Sequence, residues 1–154
     1  MSKTNKLAYF FISIIFFIFT DIYFSEFILE TLRFKKQENP IVDLIFVQNT
    51  GAAFSILENS QIFLIIFSIA AILLILLYAI RNAEKFSTIA AFWTSILVAG
   101  ISCNMYERIY YGYVRDFFKL NFINFPVFNI SDIFINISVL AIIIIIIKNK
   151  YLKK

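Results

Sequence analysis

Four long apolar stretches, separated by polar segments, dominate the sequence. Each approaches the roughly 20 mostly apolar residues that a helix needs to cross about 30 Å of hydrocarbon. They cover residues 7–24, 62–80, 86–105 and 127–147. The last contains six consecutive isoleucines. Such β-branched runs favour strands in water, but lipid requires backbone hydrogen bonds to close within the segment, so a helix is expected. The pattern predicts an all-α integral membrane protein with four transmembrane helices.

Two longer polar segments, residues 25–60 and 106–131, lie between the spans. The first contains a turn-like cluster at 35–40, Lys-Lys-Gln-Glu-Asn-Pro. The run that follows at 41–48, Ile-Val-Asp-Leu-Ile-Phe-Val-Gln, is typical of a strand. We therefore expect a small β-rich subdomain in this first segment, resting on the membrane surface. With no internal repeat or linker, residues 1–154 are expected to form a single membrane-embedded domain.

The positions of lysine and arginine predict the orientation of the spans. Eight lie in the two tails and in the short loop between the second and third spans: Lys3, Lys6, Arg81, Lys85, Lys148, Lys150, Lys153 and Lys154. The other six are spread over the two longer segments. Because positive charge near the span ends favours the cytoplasm, both termini are expected there, and the β-rich subdomain is expected to be extracytoplasmic. No small-residue cleavage site follows the first span, which we interpret as a retained anchor.

Composition excludes several classes of chemistry. Apolar residues make up 61% of the chain and charged residues 16%, which is too few polar groups for the surface of a soluble domain. The chain has no histidine and one cysteine. Catalysis by histidine, histidine-based zinc sites, cysteine clusters for metal and a disulfide framework are therefore excluded. The net charge of +4 is too small to indicate nucleic acid, and we expect neither metal nor cofactor.

Ionisable residues near membrane depth are the candidates for function, since burying a charge there is costly. They are Asp21, Glu107, Arg108, Asp116 and Asp132. The fifteen residues between Asp116 and Asp132 include Pro126, and the chain could return there to bring the two carboxyls together. Two facing carboxyls share one proton, so one can activate a water while the other hydrogen-bonds an amide carbonyl. Such a pair needs no metal, histidine or cysteine.

Simpler interpretations stay open at this point. Asp132 could only cap the fourth helix, and Asp116 could be a solvated loop charge. In a non-enzymatic protein, such as a small transporter or scaffold subunit, these acids would be caps or part of an ion path. A transporter is expected to have polar residues near the middle of the bilayer. In the second and fourth spans, the polar residues near that depth are only Ser68, Tyr78, Asn136 and Ser138.

Three short motifs carry a resemblance to one family. Residues 47–55 read Val-Gln-Asn-Thr-Gly-Ala-Ala-Phe-Ser, and residues 128–132 read Phe-Asn-Ile-Ser-Asp. Between them, residues 104–117 contain Asn-Met-Tyr-Glu-Arg and then Gly-Tyr-Val-Arg-Asp-Phe. They resemble the N-T-G-A-A-F, F-N-x-A-D and N-x-x-D-R-x-x-x-G-x-V-x-D-F patterns of the bacterial lipoprotein signal peptidase (signal peptidase II) family. The length and the four spans are also similar.

The resemblance implies an aspartyl endopeptidase of the bacterial inner membrane. It would remove signal peptides from diacylglyceryl-modified prolipoproteins by cutting just before the lipidated cysteine. By the same resemblance, Asp116 and Asp132 are the catalytic pair at the outer face. The residues that the resemblance implies for substrate binding or for support of the pair are Asp21, Asn49, Gly51, Asn104, Arg108 and Asn129. Membrane lipids and prolipoproteins are the implied partners, and nothing requires more than a monomer.

The chain departs from the family patterns at three positions near these residues. Ser25 stands where the family usually has lysine, Glu107 where it has aspartate, and Ser131 where alanine is common. These departures concern substrate contacts and the support of the pair. They leave both proposed catalytic acids unchanged.

Overall fold

The computed structural model describes residues 2–34, 39–52 and 56–151. Most of the turn predicted at 35–40 and the last three residues of the 47–55 motif lie outside these ranges. In chain order the elements are α1 (Lys3–Phe34), β1 (Val42–Asn49), α2 (Gln61–Arg81), α3 (Thr88–Tyr111), β2 (Val114–Leu120) and α4 (Ile130–Tyr151).

All four helices are long and apolar enough to cross a membrane, which confirms the predicted fold class. Helix α3 is the central one: it packs against α1, α2 and α4, and half of its most apolar stretch is buried. The other three helices expose most of their apolar side chains. An apolar exterior around a half-buried central helix is what lipid as a solvent favours, since lipid chains are as apolar as the side chains they contact.

The helices differ from the predicted spans mainly at their ends. Helix α1 continues to Phe34 rather than ending at 24, and α3 continues to Tyr111 rather than ending at 105. The length of an apolar stretch reflects only the thickness of the hydrocarbon core of the membrane, whereas the backbone hydrogen bonds of a helix can continue beyond that core into the polar region. Helix α4 begins at Ile130 instead of 127, because the side chain of Asn129 caps it.

The predicted strand forms, but its partner comes from the second polar segment. Strands β1 and β2 pair antiparallel, with Val42 opposite Leu120 and Asn49 opposite Val114. The register is irregular between Leu44 and Val47. The β-rich part therefore joins both polar segments rather than the first alone. Because β2 follows α3 directly, the pairing holds β1 against the end of the helical bundle, here called the sheet end.

Gly112 makes the sharp change from α3 to β2 possible. Its φ of 80° lies in the left-handed region, and its backbone N–H donates to the carbonyl of Arg108 at 3.1 Å. Side chains with a Cβ are strained in that conformation, so glycine is the usual residue at such a helix end. The turn brings β2 back over the end of α3 within two residues.

Gly100 lets α3 and α4 approach closely, and Gly100→Ala is expected to destabilise the bundle. An added Cβ would lie 2.7 Å from the backbone oxygen of Ser131 and 2.9 Å from Cγ1 of Ile135. Backbone cannot move aside cheaply, so the expected cost is about 1–3 kcal/mol. Thermal unfolding in detergent measures it. Ser102→Ala is the control, because the Ser102 hydroxyl forms its hydrogen bond within α3. Equal melting temperatures for both variants and the parent protein would contradict the close approach of α3 and α4.

Candidate active site

A cavity of about 670 Å³ lies at the sheet end of the bundle and extends down between α2, α3 and α4. Five of the eight predicted site residues line it: Asn49, Asn104, Arg108, Asp116 and Asp132. The other three do not reach its wall and lie behind it: Asp21, Gly51 and Asn129. Four separate elements thus contribute to one site, and Asp116 and Asp132 share the same cavity.

Asp116 lies on β2 and is almost fully buried, with 1% of its surface exposed. The interpretation as a solvated loop charge is therefore wrong. Its Oδ2 accepts a hydrogen bond from Nδ2 of Asn49 at 2.9 Å, while Oδ1 has no partner among the described residues. Burial, followed by the negative charge of Asp132, raises the pKa of the Asp116 carboxyl to about 7. The group therefore holds a proton for part of the time at neutral pH.

Asp132 lies in the first turn of α4, where the simpler interpretation as the helix cap holds only in part: Asn129 is the capping residue, and Asp132 is its reciprocal partner. Its backbone N–H donates to Oδ1 of Asn129 at 2.8 Å, and its Oδ2 accepts from the backbone N–H of Asn129 at 3.2 Å. Capping is not its whole role in the structure, because Asp132 also faces the cavity and its Oδ1 accepts from Nδ2 of Asn104 at 2.9 Å. Both oxygens are acceptors, which is the bonding pattern of an ionised carboxylate.

A chain of two amides fixes the position of Asp132. Nδ2 of Asn129 donates to Oδ1 of Asn104 at 3.0 Å, and Asn104 in turn donates to Asp132. Both asparagines are buried. Since each amide uses its oxygen as an acceptor and its nitrogen as a donor, the network leaves only one arrangement for the carboxylate.

Arg108 connects α3 to the segment that follows β1. Its Nη2 donates to the carbonyl of Gly51 at 2.8 Å and its Nη1 to that of Asn104 at 3.2 Å. The backbone N–H of Gly51 donates to Oδ1 of Asn49 at 2.8 Å, and Asn49 holds Asp116. The buried Nε of Arg108 has no hydrogen-bond partner within the described residues. The site therefore keeps one unused N–H donor and a positive charge at its edge.

Asp21 supports the site from behind rather than lining it. It is buried on α1, and its Oδ1 accepts a hydrogen bond from the Ser131 hydroxyl at 2.7 Å. Ser131 directly precedes Asp132 at the start of α4. The departure from alanine at 131 thus supplies the donor that ties α1 to the first turn of α4.

The sequence analysis missed the role of Arg115. Its backbone N–H donates to Oε2 of Glu107 at 2.7 Å, while Nε and Nη2 contact Oε1 at 2.8 and 2.7 Å. Nη1 contacts Oε1 of Glu26 at 2.8 Å, and the guanidinium lies 4.6 Å from the centre of the Tyr111 ring. Because Arg115 directly precedes Asp116, the network fixes the start of β2. The sequence did contain a signal: an acid, Glu107, lies just beyond an apolar span and is followed eight residues later by an arginine, with a glycine between them.

The family model described as Signal peptidase (SPase) II matches residues 13–148 of this chain. A lipoprotein signal peptidase of Buchnera aphidicola subsp. Schizaphis graminum is 39% identical over 148 residues, covering 90% of this chain and 94% of that protein. One from Caldicellulosiruptor bescii is 44% identical over 108 residues, covering 70% and 69% of the two chains. One from Streptococcus thermophilus is 36% identical over 110 residues, covering 71% of each.

The fold is similar to that of solved membrane proteins. A bacterial membrane enzyme determined by the in meso method at 2.3 Å resolution superposes with a TM-score of 0.83 and 27% identity, covering 94% of this chain and 91% of the other. A second, determined at 1.9 Å, gives a TM-score of 0.76 and 26% identity, with 90% and 92% covered. The family match covers α2, α3, both strands and most of α1 and α4, and it includes Asp116 and Asp132, so this chain belongs to the signal peptidase II family of membrane peptidases.

Proposed function

We propose that this protein removes signal peptides from diacylglyceryl-modified prolipoproteins by hydrolysing the peptide bond just before the lipidated cysteine. Family membership and the names of the relatives support the processing of signal peptides. The observation that carries the mechanism is that two acids, Asp116 and Asp132, line one cavity that reaches down between the helices. The non-enzymatic alternative of a transporter or scaffold is set aside, because the family consists of peptidases.

The two acids have different environments, which suggests different starting protonation states. Asp132 accepts hydrogen bonds at both oxygens and lies at a helix N-terminus, where the dipole favours negative charge. Asp116 accepts one hydrogen bond, and its other oxygen has no partner among the described residues. We therefore assign the shared proton mainly to Asp116, although the two groups titrate as a pair.

The reaction follows from that assignment. The Asp132 carboxylate takes a proton from a water molecule, whose oxygen attacks the carbonyl carbon of the peptide bond. The Asp116 carboxyl donates a hydrogen bond to the carbonyl oxygen as negative charge develops there. When the C–N bond breaks, the nitrogen receives the proton from the pair. The products are a signal peptide with a new carboxylate and a lipoprotein with a free amine on its cysteine.

The membrane positions the substrate for this reaction. The acyl chains and the apolar signal helix keep the prolipoprotein in the bilayer, so it reaches the cavity laterally. We place the sheet end at the outer face of the bacterial inner membrane, with both termini in the cytoplasm, because of the lysine and arginine distribution. Holding the bond beside the acids makes hydrolysis effectively unimolecular. All the proposed site residues belong to one chain, and we propose a monomer as the active unit.

Cleavage of a synthetic prolipopeptide by the purified protein tests this function. The substrate carries diacylglycerol on its cysteine, and a peptide of the same sequence without the lipid is the control. We expect a product that begins at the lipidated cysteine, identified by mass spectrometry, and little product from the control. Intact lipidated substrate after prolonged incubation with folded protein would defeat the proposal.

Activity is expected to fall as the pH rises through about 7. The active pair holds one proton, and the pKa of Asp116 is about 7 because burial and the charge of Asp132 disfavour its ionised form. Above that pH both acids are ionised, so kcat/KM should decrease, approaching tenfold per pH unit. The hydrogen bond from Asn49 favours the ionised form of Asp116 and so lowers its pKa. In Asn49→Ala that bond is lost, so the decrease in activity should occur at a higher pH than in the parent protein. A profile that is flat from pH 6 to 9, or a shift to lower pH in the variant, would contradict the assignment.

A further inference from the structure

Two polar side chains on the cavity wall take no part in the reaction proposed above. Ser68 on α2 and Asn136 on α4 both line the cavity, on helices that are otherwise apolar at this level. Their neighbours on the wall include Phe67, Ala71 and Val139. A polar group within a membrane span is costly unless it meets a partner, so two of them on facing walls require an explanation.

Neither side chain is satisfied within its own helix. Nδ2 of Asn136 donates to the backbone carbonyl of Asp132 at 2.8 Å, which uses one of the two amide N–H groups. Across residues 2–34, 39–52 and 56–151, the Asn136 side chain has no other hydrogen-bond partner, and the Ser68 hydroxyl has none. Asn136 is exposed and Ser68 half-buried. Donors on both walls therefore remain available to a molecule in the cavity.

The depth of these groups indicates what they would meet. Asn136 lies four residues after Asp132 on the same helix, which is about 6 Å further from the sheet end. In the proposed reaction, the signal peptide extends in that direction from the scissile bond. The last four carbonyls of any helix lack a partner in the helix, and in lipid each unpaired carbonyl is costly. A signal helix that ends at the cleavage site therefore needs donors about one turn below it.

We propose that Ser68 and Asn136 form a specificity subsite that donates hydrogen bonds to carbonyl oxygens of the substrate, one helical turn from the scissile bond. The inference rests on the proposed function and deepens it. Two parts of the substrate carry such carbonyls near this depth: the backbone of the signal helix and the esters of the diacylglyceryl group. Hydrogen bonds made in both the bound substrate and the transition state change KM rather than kcat.

Kinetics of Ser68→Ala and Asn136→Ala with the diacylglyceryl prolipopeptide test the subsite. Each variant is expected to raise KM about fivefold to tenfold with kcat nearly unchanged, as for loss of one hydrogen bond. Ser138→Ala is the matched control, because its hydroxyl is buried on α4, bonds to the Ile135 carbonyl and lies outside the cavity wall. Its KM should equal that of the parent protein. Melting temperatures in detergent verify that each variant is folded.

A second substrate distinguishes the two carbonyl sources. A prolipopeptide with ether-linked alkyl chains lacks the ester carbonyls but keeps the backbone. If the KM increase persists with this substrate, the subsite binds the signal-helix backbone; if it disappears, the subsite binds the esters. Either result supports the donor subsite.

Two results would overturn the subsite. One is an unchanged KM in both folded variants with both substrates. The other is a lower kcat with a shifted pH profile in Asn136→Ala alone, which would mean that Asn136 only orients Asp132 through its backbone carbonyl. In both cases the parent protein still cleaves the prolipopeptide. Failure of the parent itself would instead overturn the proposed function.

Discussion

Replacing either Asp116 or Asp132 with asparagine is expected to lower the rate of prolipopeptide cleavage on the order of 10⁴-fold. That is the size of loss found when one member of a hydrolytic group is removed. Asparagine keeps the shape of the side chain but can neither take a proton from water nor hold the shared one. Both carboxyls line one cavity, and the aspartate that remains in each variant stays at its own position, so it cannot perform both roles.

Glu30→Gln provides the matched control for this prediction. It makes the same acid-to-amide change on an exposed side chain near the sheet end of α1. The control should retain cleavage within about twofold, and all three variants should insert into membranes like the parent protein. Cleavage at the parental rate by folded Asp116→Asn or Asp132→Asn would remove that residue from the mechanism.

The second large effect expected concerns the buried ion pair behind β2. Glu107 and Arg115 are both buried, and three nitrogens of Arg115 contact the Glu107 carboxylate. Glu107→Gln should lower the free energy of unfolding by about 3 kcal/mol, because the guanidinium loses its buried counter-charge. Cleavage should also decrease, since Arg115 fixes the start of the strand that carries Asp116. Thermal unfolding in detergent and the cleavage assay measure the two effects.

A second, exposed contact of Arg115 provides the control for the ion-pair prediction. Glu26 also contacts Arg115, but its side chain is 58% exposed. Glu26→Gln should therefore cost less than about 1 kcal/mol, as exposed pairs usually do. Glu107→Asp keeps the charge and should recover part of the stability lost in Glu107→Gln. Equal destabilisation by Glu107→Gln and Glu26→Gln would show that burial does not determine the strength of this network.

The spans were predictable because the bilayer imposes one simple requirement on sequence, namely enough apolar residues in a row. The helix ends were not, because hydropathy does not report where hydrogen bonding stops. The strand at 41–48 was also predictable from its pattern. Its pairing with β2 was not, since the partners Val42 and Leu120 are far apart in the chain and no local signal fixes that register.

At the site, the identities of the acids were predictable and their surroundings were not. The spacing of Asp116 and Asp132 suggested a pair, and the motifs supported it. That Asn49 holds Asp116 and that Asn104 holds Asp132 depends on contacts between separate elements. The link between Ser131 and Asp21 joins residues on the fourth and first helices. Such contacts follow from how the helices pack, which a single sequence does not specify.

A single turnover in water enriched in ¹⁸O tests the central claim most directly. With excess purified protein and the diacylglyceryl prolipopeptide, a water activated by the acid pair should place one ¹⁸O atom in the new carboxylate of the released signal peptide. Mass spectrometry should also find the lipidated cysteine at the start of the other product. An unlabelled signal-peptide carboxylate, with ¹⁸O appearing instead in Asp116 or Asp132, would mean attack by the enzyme's own carboxylate and would contradict the proposed mechanism.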